Sequence, residues 1–161
     1  MIDLSNKNAL VTGAAVGIGR GVSKVLAEQG ANVVVSDIDA DGANSTAEEI
    51  IKAGGLSQSA QLDVTDKESV QTLVSDLSTQ LGHIDIVVNN AGVVGAQGWW
   101  ERKIPNDDDW DTVLAINLRG VVNVSLAVEE GMKARKQGKI INLSLIHISE
   151  PTRLGMISYA V

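Results

Sequence analysis

A glycine-rich stretch, Thr-Gly-Ala-Ala-Val-Gly-Ile-Gly at residues 12–19, constrains the fold more than any other part of the chain. It joins an apolar run, residues 9–11, to a segment whose apolar side chains recur with the spacing of one helix face. This pattern predicts a turn between a strand and a helix. Gly13, Gly17 and Gly19 tolerate positive φ and let a diphosphate approach the main chain, where the helix N-terminus offers free N–H groups. The stretch predicts a dinucleotide phosphate site. Its G-x-x-x-G-x-G spacing fits the common G-x-G-x-x-G pattern loosely, so a turn without a ligand is the alternative.

The alternation of strand and helix continues along the chain. Apolar runs predict strands at residues 7–12, 32–36, 56–62, 83–88 and 139–143, and helical periodicity predicts helices between them, the last from about 107 to 136. Repeated strand–helix units imply right-handed crossovers, and so an α/β fold with a doubly wound, Rossmann-like parallel sheet. In such a sheet the ligand crevice lies at the carboxyl ends of the strands.

An acidic residue, Asp37, ends the second predicted strand about 20 positions beyond the glycines, where a carboxylate can bind both hydroxyls of an adenine ribose. A 2′-phosphate would be repelled there. Val16, Ser36 and Ile38 surround Asp37 in sequence or in the predicted fold, and none is basic. The pattern therefore favours NAD over NADP, while the alternative is that Asp37 merely begins a turn.

Further polar residues follow the later strands. Asp63 comes after the third strand, and Asn89-Asn90-Ala91-Gly92 after the fourth. Asn117 lies within the apolar stripe of the long helix, where a buried amide without partners would cost roughly 1–3 kcal/mol, so it bonds neighbouring backbone or serves a site. The loop pair Trp99-Trp100 fits a substrate pocket, a loop anchor or a subunit contact. His83, at the entrance of the fourth strand, is not expected to be catalytic.

Composition narrows the class of protein. The chain has 161 residues, 44% apolar content and a formal net charge of −7, which indicates a soluble domain and argues against a nucleic-acid partner. It has no cysteine, so we expect no disulfide and no thiolate metal site, and we predict no metal site of any kind. We expect no membrane contact, because no apolar run approaches the roughly 20 residues of a span. Without a leader pattern, the expected location is cytoplasmic.

Together these motifs resemble the short-chain dehydrogenase/reductase family. The resemblance covers residues 1–142 and includes the glycine stretch, Asp63-Val64, Asn89-Asn90-Ala91-Gly92, Asn117 and Gly-Lys-Ile-Ile-Asn-Leu-Ser at 138–144. It implies an NAD(P)-dependent oxidoreductase acting on a small alcohol or carbonyl compound, a homo-oligomer, and a Rossmann-like sheet that is incomplete at its C-terminus in this chain. It also implies that Gly13, Gly17, Ile18 and Gly19 hold the pyrophosphate, Asp37 the ribose, Asp63 and Val64 the adenine, and that Asn90, Ala91 and Gly92 flank the cofactor.

The catalytic residues of that family match less well. By the resemblance, Asn117 positions a water in a proton relay, a Ser polarises the substrate carbonyl, and a Tyr in Tyr-x-x-x-Lys transfers the proton. The family reads Ser-Ser where this chain has Ser144-Leu145, and Tyr159 is near the expected spacing, but the chain reaches Val161 before such a Lys. We therefore expect this chain itself to be nearly inactive.

The last segment has a second resemblance. Leu-Ser-Leu-Ile-His-Ile-Ser-Glu-Pro-Thr-Arg at 143–153 and Ile-Ser-Tyr-Ala-Val at 157–161 look like translated sequencing-adapter and primer DNA. We therefore predict a dinucleotide-binding domain at residues 1–142 and a non-native tail at 143–161. A genuine divergent C-terminus with Ser144 and Tyr159 catalytic is the alternative.

Two functions remain open from the sequence. The first is a nicotinamide-dependent alcohol dehydrogenase or ketoreductase, and the second is a non-catalytic module that binds the dinucleotide for regulation. A fragment that does not fold is a third possibility, which cooperative denaturation would exclude.

Overall fold

The computed structural model describes residues 2–143 and contains a five-stranded parallel sheet flanked by helices. The strands are β1 (Asn8–Thr12), β2 (Asn32–Asp37), β3 (Leu56–Gln61), β4 (Ile86–Asn89) and β5 (Lys139–Asn142). The helices are α1 (Gly17–Glu28), α2 (Ala40–Lys52), α3 (Lys67–Leu81), α4 (Asp107–Leu114) and α5 (Val121–Arg135). A 3-10 turn covers Trp99–Glu101, and a π-helical turn, Ala115–Gly120, joins α4 to α5. The predicted strand–helix alternation is confirmed.

The order of the strands across the sheet is β3-β2-β1-β4-β5. All neighbouring strands are parallel, and Leu10 in β1 pairs with Val34 in β2 on one side and with Val87 in β4 on the other. The chain therefore winds from β1 to β3 and then returns to the other side of β1. The point where the direction reverses, between the carboxyl ends of β1 and β4, is where doubly wound sheets bind ligands.

Apolar side chains bury both faces of the sheet, as continuous β-branched runs in the strands predict. Val11, Val33 and Val35 pack on one face against α1 and α2, whereas Leu10 and Val34 pack on the other against α3 and α5. Each fully buried side chain of this size contributes about 1.5–3 kcal/mol. The two clusters together fix the sheet between two helical layers.

Side-chain caps explain where several helices begin. Asp39, Asp66 and Asn106 accept hydrogen bonds from the first-turn N–H groups of α2, α3 and α4. Glycines with positive φ follow α1 and α3, at Gly30 and Gly82, in the conformation that commonly ends a helix. By contrast, α1 begins without a side-chain cap.

At the amino ends of the strands, a buried carboxylate joins several elements. Asp85 precedes β4 with its side chain 4% exposed, and it lies 3.6 Å from Lys7, 3.2 Å from His83 and 3.3 Å from Arg135. Burial raises the pKa of Asp85, but the N–H of Asn8 and the cationic side chains outweigh it and lower the pKa below its usual value. His83 therefore contacts this cluster, at the end of the sheet opposite the predicted site.

The predicted long helix is confirmed as one continuous helix from Asp107 to Arg135, and it contains a π-helical turn that the apolar spacing did not indicate. Within residues 2–143 it is the one helix long and apolar enough to cross a membrane, a criterion that the core helix of a soluble protein also meets. Val124, Val128 and Met132 pack under the sheet. Leu114, Leu118, Val122 and Leu126, on another face, are each about half exposed.

Candidate functional site

The loops at the carboxyl ends of β1 to β4 bring the predicted site residues to one edge of the sheet. The residues come from the β1–α1 turn, the end of β2, the segment after β3 and the segment after β4. In chain order they are Gly13, Val16, Gly17, Ile18, Gly19, Asp37, Ile38, Asp63, Val64, Asn90, Ala91 and Gly92. Because the strands are parallel and adjacent, residues that are up to 79 positions apart share this edge.

The three glycines of the turn have different roles. A Cβ on Gly13 would lie 2.6 Å from Cα of Ala91, and one on Gly19 would lie 2.3 Å from the carbonyl oxygen of Gly13. These two glycines therefore allow the turn to pack against the segment after β4. Gly17 has φ +58° and nothing within 4 Å of its Cβ position, so it is open to solvent.

The N-terminus of α1 forms a cradle of unpaired main-chain donors. No side chain caps this helix, and the first N–H with a main-chain acceptor is that of Arg20, 3.3 Å from the carbonyl oxygen of Val16. Within residues 2–143, the N–H groups of Gly17, Ile18 and Gly19 therefore lack an acceptor. Val16 and Ile18 are 67% and 53% exposed, so the cradle is accessible. Such a cradle fits a pyrophosphate, which accepts hydrogen bonds and carries the charge that the helix dipole favours.

Asp37 ties the end of β2 to this cradle. Its Oδ2 accepts a hydrogen bond from the N–H of Ala15 at 3.0 Å, and its Oδ1 accepts one from the N–H of Asp39 at 3.1 Å. Asp37 is half-buried beside Ile38, which is 65% exposed. The carboxylate is thus fixed next to the turn, and it has structural bonds of its own in addition to any bond to a ribose.

The segment after β4 is attached to the glycine turn through Asn90 and Thr12. The amide nitrogen of the Asn90 side chain donates to the carbonyl oxygens of Thr12 and Gly13 at 3.0 and 2.8 Å. The buried hydroxyl of Thr12 accepts from the N–H groups of Asn90 and Ala91, each at 3.1 Å. These bonds hold the segment after β4 against the glycine turn, at the switch point between β1 and β4.

The segment after β3 is held by the long helix, through a residue that the sequence reasoning missed. Buried Asn123 donates from Nδ2 to the carbonyl oxygen of Val64 at 2.9 Å, and a Cβ on Gly120 would lie 2.6 Å from Val64. Asp63 accepts from the N–H and hydroxyl of Thr65 at 2.9 and 2.7 Å. An Asn within an apolar helical stripe was the available signal for this contact.

Asn117 differs from the expectation of a buried amide, because the structure places it on an exposed surface. Its Oδ1 accepts from the N–H of Val93, and its Nδ2 donates to the carbonyl oxygen of Val93, each at 2.8 Å. The predicted bond to neighbouring backbone is therefore present, without burial. Asn117 lies in the π-helical turn, a rare geometry that occurs frequently at functional sites.

Two predicted catalytic residues, Ser144 and Tyr159, lie outside the described residues.

Asn89, which precedes Asn90, is buried and donates from Nδ2 to Oδ1 of Asn142 at 2.8 Å, so it joins β4 to β5. In residues 2–143 no group of three or more His, Cys, Asp or Glu side chains is arranged to hold a metal ion.

Comparison with known proteins assigns this geometry to a family. The family model described as short chain dehydrogenase matches residues 7–160. The chain belongs to the short-chain dehydrogenase family. This assignment confirms the predicted resemblance.

Similar members of the short-chain dehydrogenase family are known from sequence and from solved structures. The chain is 34% identical to 3-oxoacyl-[acyl-carrier-protein] reductase FabG of Thermotoga maritima over 89% of this chain and 57% of that protein. It resembles the crystal structure of gluconate 5-dehydrogenase from Burkholderia cenocepacia in complex with NADP and tartrate, with a TM-score of 0.80 and 35% identity over 93% of this chain and 58% of that one. A metagenomic short-chain oxidoreductase in complex with NADP has a TM-score of 0.79 and 32% identity over 88% and 63%.

The extent of these matches bears on the domain prediction. The chain spans about 60% of the length of these short-chain dehydrogenase relatives. The family match also continues to residue 160, beyond the predicted boundary at 142. The origin of residues 143–161 stays a prediction.

Proposed function

We propose that this protein is an NAD-dependent oxidoreductase that transfers hydride between the nicotinamide and a small alcohol or ketone. The observation that carries the proposal is the uncapped and exposed N-terminus of α1, with Asp37 bonded to the same turn. Unpaired N–H groups at a helix start attract phosphate, and the adjacent carboxylate suits a ribose with free hydroxyls.

The preference for NAD rests on the charges near the turn. Asp37 carries a negative charge where a 2′-phosphate would lie, and the flanking residues Ser36 and Ile38 are not basic. Arg20 and Lys24, the basic residues of α1, both lie 2.6 Å from the carboxylate of Glu49. The two solved relatives described above hold NADP, so the preference is argued from the residues of this chain.

The residues of the site divide into binding and catalytic groups. The turn from Gly13 to Gly19 would hold the pyrophosphate, Asp37 the ribose and Asp63-Val64 the adenine, and Asn90 to Gly92 would flank the cofactor. When bound, the nicotinamide supplies or accepts the hydride. Asn117 would position a water for proton transfer, and Ser144 and Tyr159 are the remaining candidates for polarising the carbonyl and transferring the proton.

The test is fluorescence titration of the full chain with NADH and with NADPH. We expect NADH to bind at least about tenfold more tightly, which corresponds to about 1.4 kcal/mol. Asp37→Asn keeps an oxygen that accepts from Ala15 but removes the charge, so it should reduce that ratio toward one. Asp41→Asn removes a charge from the exposed first turn of α2 and is the matched control.

Three outcomes have different meanings. Tighter NADPH binding by the unchanged protein contradicts the NAD preference, whereas no binding of either nucleotide contradicts the cofactor site. Binding without turnover in the native full-length protein, on any alcohol or ketone, favours the alternative of a non-catalytic dinucleotide-binding module.

The proposal extends to assembly and location. We propose a cytoplasmic homo-oligomer, as the family resemblance implies. The half-exposed apolar side chains Leu114, Leu118, Val122 and Leu126 recur every fourth residue along the long helix, and they support this proposal because such stripes commonly mark protein interfaces.

A further inference from the structure

An apolar cleft lies beside Asn117, between the segment after β4 and the start of α4. Its volume is about 280 Å³, and its lining consists of five apolar residues, Val93, Val94, Pro105, Trp110 and Val113, and two polar ones, Asp109 and Asn117. This volume lies just below the usual range of ligand sites, about 300–1,000 Å³, and therefore suits a single ring or a short branched alkyl group.

The cleft adjoins the proposed cofactor site. Val93 lines the cleft, directly follows Gly92 in the chain and makes both main-chain bonds to Asn117. A Cβ on Gly92 would lie 3.4 Å from Oδ1 of Asn117, so Gly92 and Asn117 are in close proximity. A group held in the cleft would therefore be adjacent to the residues that flank the nicotinamide in the proposed function.

One buried carboxylate holds the wall of the cleft. Asp109, 3% exposed, accepts hydrogen bonds from the N–H of Ala96 at 2.9 Å, the N–H of Asn106 at 3.0 Å, and Nε and Nη2 of Arg102 at 2.9 and 2.5 Å. These donors tie both ends of residues 96–106 to the first turn of α4. The Arg102 guanidinium and the two N–H groups lower the pKa of Asp109 to about 2, so the carboxylate is ionised at neutral pH.

Gly95 and Asn106 allow the close packing and hydrogen bonding around Asp109. Gly95 is buried, and a Cβ on it would lie 2.9 Å from Oδ1 of Asp109 and 2.6 Å from Cβ of Trp99. Asn106 and Asp109 form a reciprocal capping box at the start of α4. The segment between β4 and α4 is therefore fixed in position by hydrogen bonds at several points.

We propose that this cleft binds the apolar ring or branched alkyl group of the alcohol or ketone substrate, and that Asp109 and Arg102 are positioning residues that set its wall. The inference rests on the proposed function, since it places the cleft beside the nicotinamide. The cleft would favour substrates with an apolar group next to the reacting carbon, because five of its lining residues are apolar and the two polar ones, Asp109 and Asn117, already bond to Arg102, Ala96, Asn106 and Val93.

The chain provides a direct reporter for the test. Its three Trp residues are Trp99, Trp100 and Trp110, and Trp110 lines the cleft. Trp99→Phe combined with Trp100→Phe leaves Trp110 as the fluorophore. In this background, cyclohexanol should change the emission saturably, whereas myo-inositol, a polar ring of the same size, should not. Saturable binding of myo-inositol in place of cyclohexanol would overturn the proposal.

Matched substitutions locate the binding. Val113→Asp places a charge in the cleft and should weaken cyclohexanol binding at least about tenfold. Val25→Asp makes the same change on the exposed face of α1, away from the cleft and from the stripe proposed as an interface, and should leave the affinity unchanged. Equal effects of the two substitutions would overturn the proposal, and urea denaturation verifies that each variant is folded.

A final pair of variants tests the positioning residues. Asp109→Asn and Arg102→Gln should each weaken cyclohexanol binding, and the double variant should be no weaker than the worse single one, because both remove the same ion pair. NADH binding, measured separately, should change by less than twofold in all three. If the unchanged protein does not bind NADH, the proposed function is contradicted. If it binds NADH, but the two substitutions have additive effects on cyclohexanol affinity or no effect on it, this inference is contradicted.

Discussion

Alanine substitutions at three glycines of α1 test the proposed phosphate site most directly. Gly17 and Gly21 have nothing within 4 Å of their Cβ positions, and Gly17 differs from Gly21 in having a positive φ, +58°. A Cβ on Gly19 would lie 2.3 Å from the carbonyl oxygen of Gly13 and 2.5 Å from Nδ2 of Asn90. An added methyl group therefore meets backbone strain at Gly17, main-chain atoms at Gly19 and open space at Gly21.

The expected stability changes follow from these surroundings. Gly17→Ala costs about 1–2 kcal/mol of left-handed strain and recovers about 0.4–1 kcal/mol from the less flexible unfolded chain, a net loss of about 1 kcal/mol. Gly21→Ala should gain about 0.5–1 kcal/mol as an exposed helical substitution. Gly19→Ala overpacks a contact with main chain, which cannot move as a side chain can, and should cost about 3 kcal/mol or more.

The ranking of the glycine variants by NADH affinity should differ from their ranking by stability. In Gly17→Ala the methyl group stands beside the free N–H groups that would contact the pyrophosphate. We expect NADH affinity to fall at least about tenfold while the protein remains folded. Gly21→Ala should bind NADH as the unchanged protein does.

Urea denaturation and NADH titration on the same samples provide the measurement. If folded Gly17→Ala and Gly21→Ala bind NADH equally well, the N-terminus of α1 is not the phosphate site. A stabilised Gly19→Ala would refute the assigned packing of the turn against Asn90 and the β1 end.

The remaining predictions concern the amino ends of the strands and the tail. Asp85→Ala should lower the free energy of unfolding by about 3 kcal/mol, since it leaves Lys7 and Arg135 without their buried partner, whereas Glu48→Ala in an exposed pair should change it by less than about 0.5 kcal/mol. Equal losses in urea denaturation would contradict this distinction. Because the pKa of Asp85 is lowered by folding, its contribution is present above its usual value of 3.8 and is lost as the pH falls through the folded pKa, which unfolding measured across acidic pH would detect. Sequencing the source locus with independent primers should show, in place of the tail at residues 143–161, a reading frame that continues into a second Ser and a Tyr-x-x-x-Lys motif, and finding the tail in native DNA would contradict its predicted adapter origin.

Much of the fold could be predicted because it depends on local patterns. The apolar run at residues 32–36 predicted β2, and the helical periodicity between the third and fourth predicted strands predicted α3. The edge shared by the glycine turn, Asp37 and Asn90 followed from the parallel order of the strands, since residues that end adjacent parallel strands lie together.

Other features depend on contacts between distant segments. The expected burial of Asn117 was wrong because the apolar stripe around it is itself half exposed in the described structure. Its pairing with Val93 arises because the segment after β4 runs beside the π-helical turn. Asn123 and Asp109 carry no local sign of their partners, Val64 and Arg102, beyond being polar.

The sequence by itself determined the class of fold, the position of the glycine turn proposed to bind phosphate, and the acidic residue beside it, because these follow from side-chain periodicity and from backbone freedom at glycine. The tertiary structure decided which glycine faces solvent, which carboxylates have structural partners and where an apolar cleft opens beside Asn117. These properties depend on the packing distance between residues far apart in the chain, and packing distance is not encoded in any local pattern.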